Sequence, residues 1–189
     1  MTPIKLSSDL QRQEVIAHLL SLDPEDLRLR FGYRPTEEII TKYVNESWLR
    51  SDDRWFGIYH HELDGIVGTL HVADMGNDTA EFGFTVDKRL RGKGYGNVLF
   101  SRGSTWAKAR GIKHVFMHCL TENAIIQHIA KKNNMNVVRL FGGESEADLT
   151  LPTDYTAPIN EAIIEQIAIY DMLMVNQQRI ISRFLGRTS

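Results

Sequence analysis

The 189-residue chain balances 22 Lys and Arg against 24 Asp and Glu, for a net charge of −2 and a pI of about 6.4. That balance excludes a global field that would draw it to nucleic acid or an anionic membrane, and no run approaches the ~20 apolar residues of a membrane span. A hydrophobic content of 42% suits one globular core with an appended element, and the lone cysteine, Cys119, excludes an internal disulfide. The N-terminal MTPIKLSSDL has no apolar signal core, so a reducing cytoplasm is the expected location.

Pro3 to Ser7 reads as a short strand. Ser8 or Asp9 then caps a helix with Leu10, Val15, Ile16, Leu19 and Leu20 on one face. Asp23-Pro24-Glu25 starts a second helix, with Asp as cap and Pro in the first turn; it carries Arg28 and Arg30, expected on a solvated face in preference to a ligand contact, and reaches Phe31. Pro35-Thr36-Glu37-Glu38 opens a third helix to about Leu49. Three antiparallel strands follow. Arg54 to His60 is the first, with a hairpin turn at ELDG (Glu62 to Gly65). Gly65 to Ala73 alternates as the second, and Gly76-Asn77-Asp78 turns into the third, Thr79 to Val86.

A helix from about Gly94 to Arg110 should place Val98, Leu99, Trp106 and Ala109 inward and stop at Gly111. Ile112 to Leu120 is the next strand. A helix from Thr121 or Glu122 to Asn133 ends on Asn134, a residue that tolerates positive φ. Val137 to Phe141 and Glu146 to Leu151 complete a mixed sheet of βααβββαβαβ type, in the α/β (α+β) class. The expected division is a domain over 1–152 and, over 153–189, a linker followed by a long amphipathic helix. Ile159, Ile163, Ile167, Tyr170, Met174, Ile181 and Phe184 make one stripe of that helix. Ile164, Ala168, Met172 and Val175 make a second, to be buried on the domain or on a second copy in a homodimer.

The stretch with chemical content is RGKGYG, between the strand ending at Val86 and the following helix. The first N–H groups of a helix lack intrahelical acceptors and carry the positive end of its dipole. Gly92, Gly94 and Gly96 remove the side chains that would keep a phosphate from those groups, and Arg91 and Lys93 add positive charge. Together with Tyr95 and Asn97 they read as a diphosphate cradle, with an ordinary tight turn before a helix as the alternative. Gly96 is followed by Asn97, so the Lys-Ser/Thr of a P-loop is missing, and the spacing is not that of a dinucleotide fingerprint.

This stretch resembles motif A of the GNAT-type N-acyltransferases, Arg/Gln-x-x-Gly-x-Gly/Ala, here Arg91, Gly94 and Gly96. The resemblance extends over about Arg54 to Leu151. It implies the GNAT fold, here with an added C-terminal helix, and acetyl-coenzyme A bound by its pyrophosphate at the cradle. It implies further that Phe84, Thr85 and Val86 contact the pantetheine and acyl groups, a strand bulge exposing their N–H groups to the thioester carbonyl. TENAIIQHIA resembles the family's motif B, which assigns Asn123 to the pantetheine arm. Seven residues on, where the family places a Tyr that protonates the leaving thiolate, this chain has Ala130.

N-acyl transfer needs a deprotonated amine, and an alkylamine has pKa ~10.4, so a base is required at neutral pH. The family's carboxylate positions correspond to Glu81 and, on the next strand, His118. A structural ion pair for Glu81 and a plain strand histidine for His118 are the alternatives. No metal site is expected: His60 and His61 should point to opposite strand faces, and His114 and His118 lack a third ligand. The reading is an N-acetyltransferase acting on a primary amine by direct attack in a ternary complex. A non-catalytic acyl-coenzyme A module, suggested by Ala130, is the alternative. The acceptor, a small molecule or peptide, is not legible; near-neutral charge disfavours RNA.

Overall fold

The computed structural model describes residues 1–185, with side chains to residue 182, so Phe184 lies outside the described side chains. The chain opens with β1 (Ile4–Leu6), α1 (Asp9–Leu20), α2 (Pro24–Phe31) and α3 (Glu37–Leu49). Ser8 and Gln11 form a reciprocal capping box on α1. Val15, Ile16 and Leu19 are buried, but Leu10 and Leu20 are exposed. At ~100° per residue Leu10 falls opposite the buried stripe and Leu20 on its margin. Asp23 has the backbone shape of a cap, yet its carboxylate accepts from Lys88 Nζ at 2.8 Å instead of from the helix N–H groups.

The central strands are β2 (Arg54–His60), β3 (Leu63–Gly76) and β4 (Thr79–Val86). His60 pairs with Leu63, so the hairpin turn is His61-Glu62 rather than ELDG. The register slips on either side of Tyr59, and Gly65 on the facing strand has φ +70°. Asn77 and Asp78, with φ of 51° and 58°, form the tight β3–β4 turn. Next come α4 (Tyr95–Ala109), β5 (His114–Leu120), α5 (Ala124–Lys132), β6 (Asn136–Arg139), β7 (Glu144–Thr150) and α6 (Ala157–Leu185). The order is the one read element by element from the sequence, with three helices before the central strands and two strands after α5, so the βααβββαβαβ label is one helix and one strand short.

The sheet has seven strands in the order β1-β2-β3-β4-β5-β7-β6. β4 and β5 run parallel, and the other neighbours are antiparallel. One face buries Phe56, Leu70, Val72, Phe82 and Val115 together with Leu99 and Trp106 of α4 and Ile129 of α5. The other buries Ile4, Leu6 and Trp55 with Val15 of α1, Val44 of α3 and Ala168 of α6. On α4, Leu99, Phe100, Trp106 and Ala107 are buried, while Val98 is exposed and Ala109 only partly covered.

The inward slot one turn below Leu99 holds Arg102, buried beneath α6. Its guanidinium forms ion pairs with Glu161 and Glu165, donates to the Pro3 carbonyl at 3.1 Å and lies 4.6 Å from the Phe56 ring centre. α6 packs against α4, β1 and β2, covering the edge strand of the sheet. The second apolar stripe supplies this contact: Ala168 and Val175 are buried and Ile164 and Met172 partly so. The first stripe faces away from the domain. No helix among the described residues is long and apolar enough to cross a membrane.

Candidate active site

The site begins where one strand pairing stops. β4 and β5 pair in parallel from Thr79↔His114 to Glu81↔Phe116. Beyond that, β4 stays paired with β3 as far as Val86↔Gly68, and β5 with β7 as far as Leu120↔Glu144. The sheet therefore opens into a V. The expected bulge is not its cause, because the β3–β4 register runs unbroken from Ala80 to Val86. The Asp87 N–H donates to the Val67 carbonyl at 2.8 Å. Alternation along an antiparallel ladder then turns the N–H groups of Phe84 and Val86 away from β3 and into the V.

A cleft of about 400 Å³ fills the V, within the usual size of small-molecule sites. Phe84, Thr85 and Val86 line one wall, Met117 and His118 the other, and α5 residues from Asn123 to Lys132 close one side. The floor is the start of α4, with Arg91, Gly92, Gly94, Tyr95, Gly96 and Asn97. Gly94 is the N-cap at φ +89°, and Asn97 and Val98 make the first helix bonds, both to the Gly94 carbonyl, at 3.0 and 3.2 Å. The N–H groups before them are those a helix start leaves for an anion. Lys93 is exposed beside the cradle rather than in the cleft wall. The Asn97 side-chain Oδ1 accepts from the side-chain amide of Asn133, the C-cap of α5, at 3.1 Å, tying the two helices together.

Several expected groups have partners within the protein. Arg91 lies 2.5 Å from Asp26 of α2 and donates to the Val86 carbonyl at 3.4 Å. The Thr85 hydroxyl is engaged by His18 at 2.9 Å and Thr69 at 2.6 Å. Burial lowers the His18 pKa to about 4, so this ring is neutral. Asn123 caps α5, accepting from the Ile126 N–H at 3.2 Å, and donates to the Leu29 carbonyl of α2 at 3.2 Å. Its amide keeps a second N–H for a ligand.

Glu81 and His118 come together across the V with 3.8 Å between Oε1 and Nδ1. The other ring nitrogen, Nε2, is 2.8 Å from Glu146 of β7. His118 lines the cleft; Glu81 stands just outside the lining. Ala130, at the family's tyrosine position, is fully buried in the core beside Ile126 and Ile129 instead of facing the cleft.

The expected solvated face does not hold for Arg30, because α2 forms a wall of the cleft. Asp26, Leu29 and Arg30 all line the cleft. Arg28 pairs with Glu25 at 2.6 Å and Glu122 at 2.8 Å, bridging α2 to the turn before α5. Arg30 turns toward the sheet rather than to solvent. It lies so flat on β4 that a Cβ on Gly83 would meet its Nη2 at 1.8 Å. Arg30 donates to Tyr43 Oη at 3.0 Å; Tyr43 in turn bonds His71 Nδ1 at 2.7 Å, and His71 Nε2 is 3.1 Å from Asp53. Gly83, two residues beyond Glu81 in an alternating strand, was the available signal.

His60 and His61 do not point to opposite faces. His61 belongs to the turn, so the rings stack at 4.4 Å, and ligand atoms of His60, His61 and Glu62 lie within 4.8 Å of one another. Stacked rings aim their nitrogen lone pairs side by side rather than at a common point, a poor metal geometry. His60 Nδ1 also accepts the Glu62 N–H at 3.2 Å.

A mixed sheet split between two parallel strands, with a glycine-rich helix start at the base of the split, defines the class of acyl-transfer folds. Residues 16–135 match the model of the Acetyltransferase (GNAT) family, and the chain belongs to that family. No curated protein sequence matches it. Among solved structures, the GNAT domain of S. lividans PAT aligns with a TM-score of 0.66 and 18% identity, over 79% of this chain and 88% of that one. Spermidine N-acetyltransferase from Vibrio cholerae, in complex with coenzyme A and spermine, aligns at 0.64 and 12%, over 80% and 96%. An acetyltransferase from Salmonella typhimurium that modifies the N-terminal serine of ribosomal protein L7/L12 aligns at 0.64 and 16%, over 80% and 96%. At these identities the likeness concerns the fold.

Proposed function

We propose that the chain is an acetyl-coenzyme A-dependent N-acetyltransferase that acts on a primary amine in a ternary complex. One observation carries this reading: the α4 N-terminus and the β4 N–H groups at Phe84 and Val86 open on the same cleft. The first takes the pyrophosphate and the second the thioester carbonyl, and the Asn123 amide bonds the pantetheine arm between them.

The acceptor enters past α2 and the Glu81–His118 side. The pair takes a proton from the ammonium, directly or through water. The amine lone pair then attacks the carbonyl carbon, and the oxyanion is held by main-chain N–H groups that need no reorganisation. Collapse breaks the C–S bond and expels the thiolate. With Ala130 in the core, the thiol leaves as its anion. Its pKa of ~8.5 makes that cost about 2 kcal/mol at neutral pH. Arg30, fixed over Gly83 by Tyr43, puts a positive charge beside the reacting carbonyl.

The test is release of coenzyme A thiol from acetyl-coenzyme A with a panel of polyamines, amino sugars, amino acids and peptides bearing a free N-terminus. Turnover with one class supports the proposal. Tight binding of acetyl-coenzyme A with no release from any amine would instead mark a binding-only module.

A further inference from the structure

The C-terminal helix α6 is apolar on two sides. From Ile163 to Ser182 its charged residues are Glu165, Asp171 and Arg179, and all three turn toward the domain. Glu165 pairs with buried Arg102. Asp171 accepts from the N–H and hydroxyl of Thr2, both at 2.9 Å. Arg179 donates to the His60 carbonyl at 2.8 Å and the Gly65 carbonyl at 3.2 Å. The outward side carries Ile159, Ile163, Ile167, Tyr170, Met174 and Ile181, between 39% and 65% exposed. Leu173 and Ile180 flank them and are also exposed. A surface helix has one apolar side, against the core; α6 has a second, outward one, the pattern of a helix covered on both sides.

The spacing says what kind of surface should cover it. Ile163, Ile167, Tyr170, Met174, Gln177 and Ile181 follow one another in alternating steps of four and three. That 3.5-residue repeat keeps one seam in line along a helix and is the signature of pairing with another helix. A lipid surface fits poorly, because interfacial helices carry Lys and Arg beside their apolar face and this side has neither among the described residues. An uncharged stripe meets a copy of itself without like-charge repulsion, as a two-fold interface requires. Side chains of this size, half exposed, present on the order of 800 Å², the area a standard interface buries per partner.

We propose that the outward face of α6 packs against the same face of a second copy, making the chain a homodimer. The pairing is independent of the acyl-transfer reading. It explains why α6 spends its charges on the domain: Arg102 and Arg179 fix the helix so that its seam stays presented. Gln177, a lone polar residue in the seam, sets the register.

Light scattering after size-exclusion chromatography of the full chain, at about 50 µM and so well above a micromolar Kd, tests this. The expected wild-type mass is twice the 21.6 kDa of one chain. Ile163→Glu/Ile167→Glu should halve it while far-UV circular dichroism and the thermal shift with coenzyme A stay as in wild type. Ile163→Ser/Ile167→Ser, with milder chemistry, should weaken the dimer at least tenfold and covers the case in which the charged variant misfolds. A wild-type monomer at that concentration overturns the proposal, and so does a folded Ile163→Glu/Ile167→Glu variant that stays dimeric or a folded Ile163→Ser/Ile167→Ser variant whose dilution series gives the wild-type Kd.

Discussion

Arg91, the first residue of the phosphate turn, sits 2.5 Å from Asp26 on the helix across the cleft. An arriving pyrophosphate must compete with that carboxylate for the guanidinium. Asp26→Asn should therefore raise coenzyme A affinity about fivefold, the ~1 kcal/mol of a partly exposed pair. Calorimetric titration measures it. Weaker binding by Asp26→Asn would mean that Asp26 positions Arg91 for the ligand rather than withholding it.

Glu81 and His118 act as one proton acceptor if the 3.8 Å contact across the V is functional. Glu81→Gln and His118→Ala should each lower kcat about 100-fold, within the usual range of general-base losses, with coenzyme A affinity within about twofold of wild type. The double variant should be little worse than either single one, because members of a unit are not additive. Unchanged kcat in both would remove the pair from the mechanism.

His18 links stability to pH. Its folded pKa, lowered to about 4 by burial, lies below the ordinary 6.5. Above pH 6.5 the ring is neutral in both states and has no effect on folding. As pH falls from 6.5 to 4 the unfolded chain takes up a proton that the folded one refuses, and up to about 3 kcal/mol is lost. Burial shifts His71 in the same direction. The urea midpoint should fall between pH 7 and pH 5 in wild type and fall less in His18→Gln. An equal fall in both would show that the loss has other sources.

Arg102 anchors α6 through two carboxylates that are themselves mostly covered. Arg102→Ala leaves both beneath the helix without a counter-charge and should cost about 3 to 5 kcal/mol. Urea unfolding measures this directly. A loss below about 1 kcal/mol would mean that water reaches Glu161 and Glu165 freely.

Much of this was legible in the sequence where local chemistry decides structure. Ser8 and Thr36 cap helices, Asn77-Asp78 turns a hairpin, Asn134 takes positive φ at 55°, and Gly94 starts α4. The place of the glycine-rich helix start at the end of a strand followed from the glycines and the apolar run before them. What stayed hidden depends on tertiary neighbours. Arg102 sits in an apolar slot because α6 brings two glutamates to it, and no local pattern announces that. The two stripes of α6 look alike as sequence, and only the charges between them, matched by Arg102, Thr2 and the His60 carbonyl, decide which faces the domain. For α2 a solvated face outweighed a cleft wall, because Asp26 and Arg30 reach the cleft from a short helix with no motif of its own. Ala130 was read as a missing donor, whereas Ile126 and Ile129 pack around it and bury the position.

Calorimetric titration of coenzyme A into a variant that combines Arg91→Glu, Lys93→Glu and Gly94→Val tests the cradle most directly. Gly94 has φ +89° with open space where a Cβ would point, so the valine strains the helix start and crowds the ligand without meeting a neighbour. If the α4 amides hold the pyrophosphate, affinity falls at least 100-fold while circular dichroism reports a folded chain. Affinity unchanged in that folded variant would place the coenzyme elsewhere and contradict the site described above.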